Sequence, residues 1–120
     1  MACVLVVEDD SDLREVIAIL IAEAGADCIS CGSLAEVQAE LDAVLTCHLA
    51  ILDVNLGPEQ PSGVDVFHWL RAHGFRGDII FLTGHGSTDP RVIEAANLPG
   101  AQLLSKPIGA AKLVQLASQP

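Results

Sequence analysis

The sequence predicts an α/β domain: a single doubly wound, five-stranded parallel sheet flanked by five helices. Three observations carry that expectation. Short apolar runs recur along the chain, of the kind that is covered on both faces in a parallel sheet. Between them lie stretches whose apolar residues repeat with helical spacing. The two kinds of segment alternate from one end of the chain to the other, as right-handed βαβ units require.

The first run is Cys3–Val7. Asp10 or Ser11 then caps a helix in which Leu13, Val16, Ile17, Leu20 and Ile21 keep the i, i+3, i+4, i+7, i+8 spacing, and Gly25 closes it. A short strand is expected at about 27–31. Ser33 with Glu36 reads as a capping box, ahead of a helix with Leu34, Val37, Leu41, Val44 and Leu45 along one side. The apolar strand 49–52 stops at a carboxylate, Asp53, and a loop punctuated by Gly57, Pro58, Pro61 and Gly63 follows. A helix over about 64–73 ends at Gly74. Asp78–Thr83 is a fourth buried strand, with Ile79, Ile80, Phe81 and Leu82 in succession. A weaker helix at about 88–97 carries Pro90 near its first turn, where proline is tolerated. Ala101–Ser105 is the fifth strand, and a last helix covers about 109–117. No linker, repeat or low-complexity tract intervenes, so residues 1–120 read as one domain with no second, output domain.

Composition narrows the function. Hydrophobic residues make up 51 % of the 120, which argues against disorder, and aromatics only 3 %, so Val, Ile, Leu and Ala must build the core. Sixteen acids against six bases give a net charge of −10, with no basic stripe for direct contact with nucleic acid or an anionic membrane. No apolar run reaches the roughly 18 residues of a membrane span, and no basic start marks a signal peptide, so a cytoplasmic location is expected. Of the four cysteines, Cys28 and Cys31 form a C-x-x-C, but on a predicted strand their side chains face opposite ways. Reduced thiols, not a zinc or redox motif, are the expected state.

The strand ends converge on one chemistry. The first strand delivers Glu8, Asp9 and Asp10, the third Asp53, the fourth Thr83, and the fifth Lys106 with Pro107. All open on the carboxyl edge of the sheet, where open α/β sheets bind ligands. Unit negative charges some 4–5 Å apart repel by roughly 3–4 kcal/mol per pair at an effective dielectric near 20, so three clustered acids call for a cation. Oxygen ligands without His or Cys suit a hard ion such as Mg²⁺. With the Lys106 ammonium and the Thr83 hydroxyl opposite, the pocket fits a compact dianion and phosphoryl transfer.

Four ordered motifs then carry a resemblance: Val6-Val7-Glu8-Asp9-Asp10, Leu52-Asp53-Val54-Asn55-Leu56, Phe81-Leu82-Thr83-Gly84 and Ser105-Lys106-Pro107. Each ends the right strand at the right spacing, and together they cover nearly the whole chain. The sequence resembles a response regulator receiver domain, the phosphoacceptor module of two-component systems, with a flavodoxin-like fold. The resemblance implies that Asp53 is phosphorylated by a partner histidine kinase or phosphotransfer protein, with a downstream protein as a further partner. It implies Mg²⁺ (or Mn²⁺) held by Glu8, Asp9, Asp53 and the backbone carbonyl of Asn55. Thr83 and Lys106 would bind the phosphoryl group, Pro107 would follow a cis bond, and His85 and Asn55 would tune the lifetime of the phosphoryl group.

This sequence also departs from the family pattern. Glu8 stands where Asp is usual. Leu103 stands three residues before Lys106, where Tyr or Phe usually follows the movement of the Thr. The loop 56–63 is about two residues longer than is common and carries Glu59 beside the site; loop and motif look most like receivers fused to hybrid histidine kinases. Three alternatives differ by residues. An aspartyl-phosphate hydrolase would place a second Asp where Asn55 stands, and a nucleotide-binding flavodoxin-like protein would need a phosphate loop in place of Glu8-Asp9-Asp10. A degenerate receiver used only as a binding module would find its support in Leu103.

Overall fold

The computed structural model describes residues 2–84, 89–106 and 108–118. Five strands, β1 (Cys3–Val7), β2 (Asp27–Cys31), β3 (Leu49–Asp53), β4 (Asp78–Thr83) and β5 (Ala101–Ser105), pair in parallel in the order β2-β1-β3-β4-β5. The apolar runs of β1 and β3 are buried at every position, and β4 at all but Asp78. Period-two alternation divides those residues between two cores. Val4, Val6, Leu49, Ile51, Ile80 and Leu82 pack with α1 (Ser11–Glu23) and α6 (Ala110–Ala117), through Ile17, Ile21, Leu113 and Ala117. On the other face Leu5, Val7, Ala50, Leu52 and Phe81 meet α2 (Leu34–Ala39), α3 (Leu41–Val44), α4 (Gly63–Ala72) and α5 (Pro90–Ala96).

The fold class is as expected, and one detail differs: among the described residues six helical segments flank the sheet where five were predicted. The second predicted helix breaks at Glu40, which leaves helical geometry (φ −112°, ψ 25°). Its N–H reaches back only three residues, to the Val37 carbonyl. Gln38, Ala39 and Glu40 are all exposed, so nothing packs this turn onto the sheet and holds it in register. The predicted stripes are also too wide. Val16 and Leu45 are 53 % and 40 % exposed, while Ile17, Ile21, Val37 and Val44 hold the seams.

The helix ends follow local chemistry. Asp10 is the cap of α1, accepting from the Asp12 and Leu13 N–H groups at 3.0 and 3.2 Å. Gly25 and Gly74 follow the C-caps Ala24 and His73 at φ +85° and +91°, a conformation that costs glycine nothing. The sequence also holds a cap not anticipated: Ser62 and Asp65 form a reciprocal capping box at the start of α4. Its first residue, Gly63, sits against the end of β3 and donates its N–H to the Val54 carbonyl at 3.0 Å. A Cβ there would lie 2.2 Å from the Asp53 carbonyl oxygen. Only glycine lets α4 come this close to the strand that ends in Asp53.

Gly63→Ala is therefore expected to destabilise the fold by about 1–3 kcal/mol. Gly109→Ala, where a Cβ meets nothing within 4 Å, should cost less, about the 0.5–1 kcal/mol of an N-cap change. Urea unfolding of both variants checks this; equal midpoints would remove the close-approach account.

Candidate functional site

The chain runs from β1 outward to β2, then crosses back to place β3 on the other side of β1. That reversal opens a crevice at the carboxyl ends of β1 and β3, the usual ligand position in open α/β sheets. Glu8 and Asp9 leave β1 there, and Asp53 ends β3 there. A cleft of about 420 Å³ lies over them, lined also by Asp10, Asn55, Gly57, Pro58, Gly84 and Lys106.

Lys106 is the hinge of the site. Its Nζ donates to Glu8 Oε1 at 2.7 Å and to Asp53 Oδ2 at 3.0 Å. Its own backbone N–H donates to the Thr83 carbonyl at 2.8 Å, which fixes it to the end of β4. Glu8 and Asp53 are 2 % and 5 % exposed, so both carboxylates are held out of water. Asp53 Oδ1 accepts from the Asn55 N–H at 3.2 Å. The Asn55 amide oxygen in turn accepts from Gly57 N–H at 3.1 Å and from Arg91 at 3.4 Å. A Cβ on Gly57 would stand 3.6 Å from Asp9 Oδ2, so the long loop after β3 lies against Asp9. Glu59, in the same loop, takes the left-handed conformation at φ +62°.

The charges explain themselves from burial outward. Burial raises the Glu8 pKa, the approach of Asp53 raises it further, and Lys106 pulls the other way. Asp9 is raised by burial and by its neighbour Glu8. Burial works to lower the Lys106 pKa, but its bonds to Glu8 and Asp53 outweigh that and hold it above the ordinary lysine value.

Oxygen atoms of Glu8, Asp9 and Asp53 all lie within 4.8 Å of one another. Three carboxylates against one ammonium leave two negative charges uncompensated, which is the charge of one divalent cation. The donor set is oxygen alone, which fits Mg²⁺ or Mn²⁺ and disfavours zinc. The arrangement thus combines a buried carboxylate, Asp53, a cluster of acid oxygens beside it that could hold a cation, and an ammonium opposite.

Glu8, Asp9, Asp53, Asn55 and Lys106 are brought together as the sequence implied. Thr83 ends β4 beside them, its side chain buried at 6 % exposure. Leu103 is half-buried on β5, in register with Phe81 and packed against the core of the α2–α5 face. His85 and Pro107 lie outside the described residues. Two residues escaped sequence reasoning. Arg14 donates to the Glu8 carbonyl at 2.6 Å, and Arg91 reaches Asn55 from α5. Arg14 had a signal: it is the one base among the acids of residues 8–15. Arg91, 36 positions from Asn55, had none.

Comparison with known proteins gives the same picture. The family model for the response regulator receiver domain matches residues 4–118. Nodulation protein W of Bradyrhizobium diazoefficiens is 35 % identical over 107 residues, 88 % of this chain and 45 % of that protein. Transcriptional regulatory protein FixJ of Azorhizobium caulinodans is 31 % identical over 109 residues, 91 % of this chain and 50 % of that protein. The chain thus spans about half the length of these curated relatives. Among solved structures, a signal receiver domain from Vibrio parahaemolyticus superposes with a TM-score of 0.77 at 26 % identity, covering 95 % of this chain and 85 % of that one. The receiver domain of NtrX from Brucella abortus gives 0.80 at 20 % identity, covering 95 % and 93 %, and shares the fold.

Glu8 and Asp9 titrate above their unfolded values, so the folded state holds protons that the unfolded chain has released. Without divalent ions, stability should therefore be greatest below that raised range and fall as pH rises through it. Asp9→Asn should raise the melting temperature at neutral pH by a few degrees and flatten this slope, whereas Mg²⁺ should stabilise mainly the wild type. Thermal unfolding with chelator and with Mg²⁺ reads both effects; a variant indistinguishable from wild type would dismiss the strain.

Proposed function

The chain belongs to the response regulator receiver family, a regulatory switch module of two-component systems, and we propose that Asp53 is its phosphoacceptor. The observation that carries this is the Lys106 ammonium bridging Asp53 and Glu8 at the crevice between β1 and β3. It leaves one carboxylate at the cleft with a cation site on one side and a fixed positive charge on the other.

A histidine kinase or phosphotransfer protein is the proposed donor, in the cytoplasm, and a downstream protein the proposed reader. An Asp53 carboxylate oxygen attacks phosphorus; the new P–O bond forms as the donor's P–N bond breaks, and the phosphoryl group stays on Asp53. Mg²⁺ or Mn²⁺ held by Glu8, Asp9, Asp53 and the Asn55 backbone carbonyl would supply charge neutralisation for the transferred group. Lys106 exchanges a carboxylate oxygen for a phosphoryl oxygen, keeping its charge paired. Thr83 donates its hydroxyl to another phosphoryl oxygen from the end of β4. By the family pattern Leu103, Pro107 and His85 are the proposed switch and tuning positions, Leu103 for how the change spreads and His85 for how long it lasts. Residues 1–120 act as one such receiver unit, which also assists its own dephosphorylation.

The hydrolase alternative needs an acid/base two residues past the nucleophile. Asn55 is an amide, and its oxygen is already engaged by Gly57 and Arg91. The degenerate-receiver alternative is disfavoured because the acid cluster and Lys106 are assembled together.

Incubation with a small acyl phosphate and Mg²⁺ should add one phosphoryl group to the wild type by intact mass and none to Asp53→Asn. Lys106→Ala should slow the gain on the order of 100- to 1,000-fold. Equal uptake by Asp53→Asn would end the assignment.

A further inference from the structure

A pair of thiols at the opposite end of the sheet takes no part in the site above. Cys3 opens β1, and Cys47 stands in the turn between α3 and β3, 44 positions away, yet their Sγ atoms are 2.8 Å apart. Both belong to the core of the α2–α5 face, 9 % and 5 % exposed. Their approach is built into the sheet. The His48 N–H donates to the Cys3 carbonyl at 3.0 Å, so the chain entering β3 is pinned to the first residue of β1. A disulfide S–S bond is about 2.05 Å long, so the two sulfurs need to close by only about 0.8 Å from their 2.8 Å separation.

The other cysteines do not compete. Cys31 lies in the same core as Cys3, but Cys28 packs with the opposite one, so the C-x-x-C of β2 straddles the sheet. A metal is not indicated either: among the described residues, the one cluster of three or more ligating side chains is Glu8, Asp9 and Asp53.

We propose that Cys3 and Cys47 form a reversible redox pair, closing to an intramolecular disulfide under peroxide and reopening by exchange with a dithiol. One sulfur, its proton lost, attacks a peroxide oxygen; the O–O bond breaks, giving a sulfenic acid and water. The other sulfur attacks the sulfenic sulfur, the S–S bond forms, the S–O bond breaks and a second water leaves. Two thiols and one peroxide thus give one disulfide and two waters, the peroxide taking two electrons. Burial holds the Cys47 thiol well above its ordinary range, so the first attack is slow. The second is fast, because the partner is already in contact. The pair responds to sustained oxidation, not to brief pulses.

Closure ties the entrance of β3 to the start of β1, while Glu8 and Asp53 lie at the far ends of the same strands. The bond would close a loop spanning 44 positions and restrict the unfolded chain without touching the acid cluster.

The test is peroxide treatment of the whole chain, alkylation after denaturation, and peptide mapping without reductant. A Cys3–Cys47 linked peptide, lighter by two hydrogens and cleaved by dithiothreitol, is expected, with Cys28 and Cys31 alkylated. The Cys28→Ser, Cys31→Ser double variant should keep the link, and the oxidised protein should melt on the order of 10 °C higher than the reduced one. Four alkylated thiols, a different pairing, or sulfinic acid at Cys47 without the link would overturn the proposal. The mapping on wild type needs no variant to fold.

Discussion

The bridge from Lys106 to Glu8 and Asp53 is the constraint on which the rest of the site depends. It joins the ends of three strands through one ammonium: β1 through Glu8, β3 through Asp53, and β5, which Lys106 follows. Two carboxylates almost out of water would be intolerable alone, since removing a charge from water without a partner costs several kcal/mol. Lys106 compensates one of them. The remainder, sharpened by Asp9, is what would let the cluster hold a cation, where a fully paired salt bridge would not. A fully paired core would have been more stable and chemically inert.

The fold supplies this arrangement by topology before any side chain is chosen. Crossing back from β2 to β3 leaves the carboxyl ends of β1 and β3 adjacent. What the sequence adds is the fixing of their distances. Gly63 lets α4 press against the Asp53 backbone, Arg14 holds the Glu8 carbonyl, and the turn through Asn55 and Gly57 closes on Asp9. Each contact acts on backbone or on a neighbouring side chain. The Asp53 carboxylate is thereby placed by the backbone around it as well as by its own two bonds, to Lys106 and to the Asn55 N–H.

These particulars explain how far the sequence could be read. Strands announce themselves here because a parallel sheet buries both faces, so 49–52 and 79–82 appear as unbroken apolar runs. Acids and a lysine at strand ends are legible because their positions are set by strand length alone. The break at Glu40 was invisible, since Leu34, Val37, Leu41 and Val44 keep helical spacing across it. Only the exposure of the intervening turn reveals that nothing holds it. Arg91 was invisible for a different reason: its meeting with Asn55 depends on how α5 lies against the sheet, which no local pattern encodes. The Cys3–Cys47 contact is of the same kind, a product of strand register and not of spacing.

The sheet is not equally firm across its width, and this bears on what the Lys106 charge can move. β1 and β3 are buried at every residue and paired on both sides, whereas β5 has one neighbour and no fully buried position. Sparse burial and a single ladder mark the low end of local stability. Lys106 follows β5 directly, so a change in what its ammonium bonds to acts first on the least constrained strand. On that strand Leu103 sits against Phe81, which is fully buried and packs with Phe67 of α4 at 5.9 Å between ring centres. Leu103 therefore belongs to the α2–α5 face by packing, beside Phe81. A leucine there has no aromatic ring to exchange between core and surface.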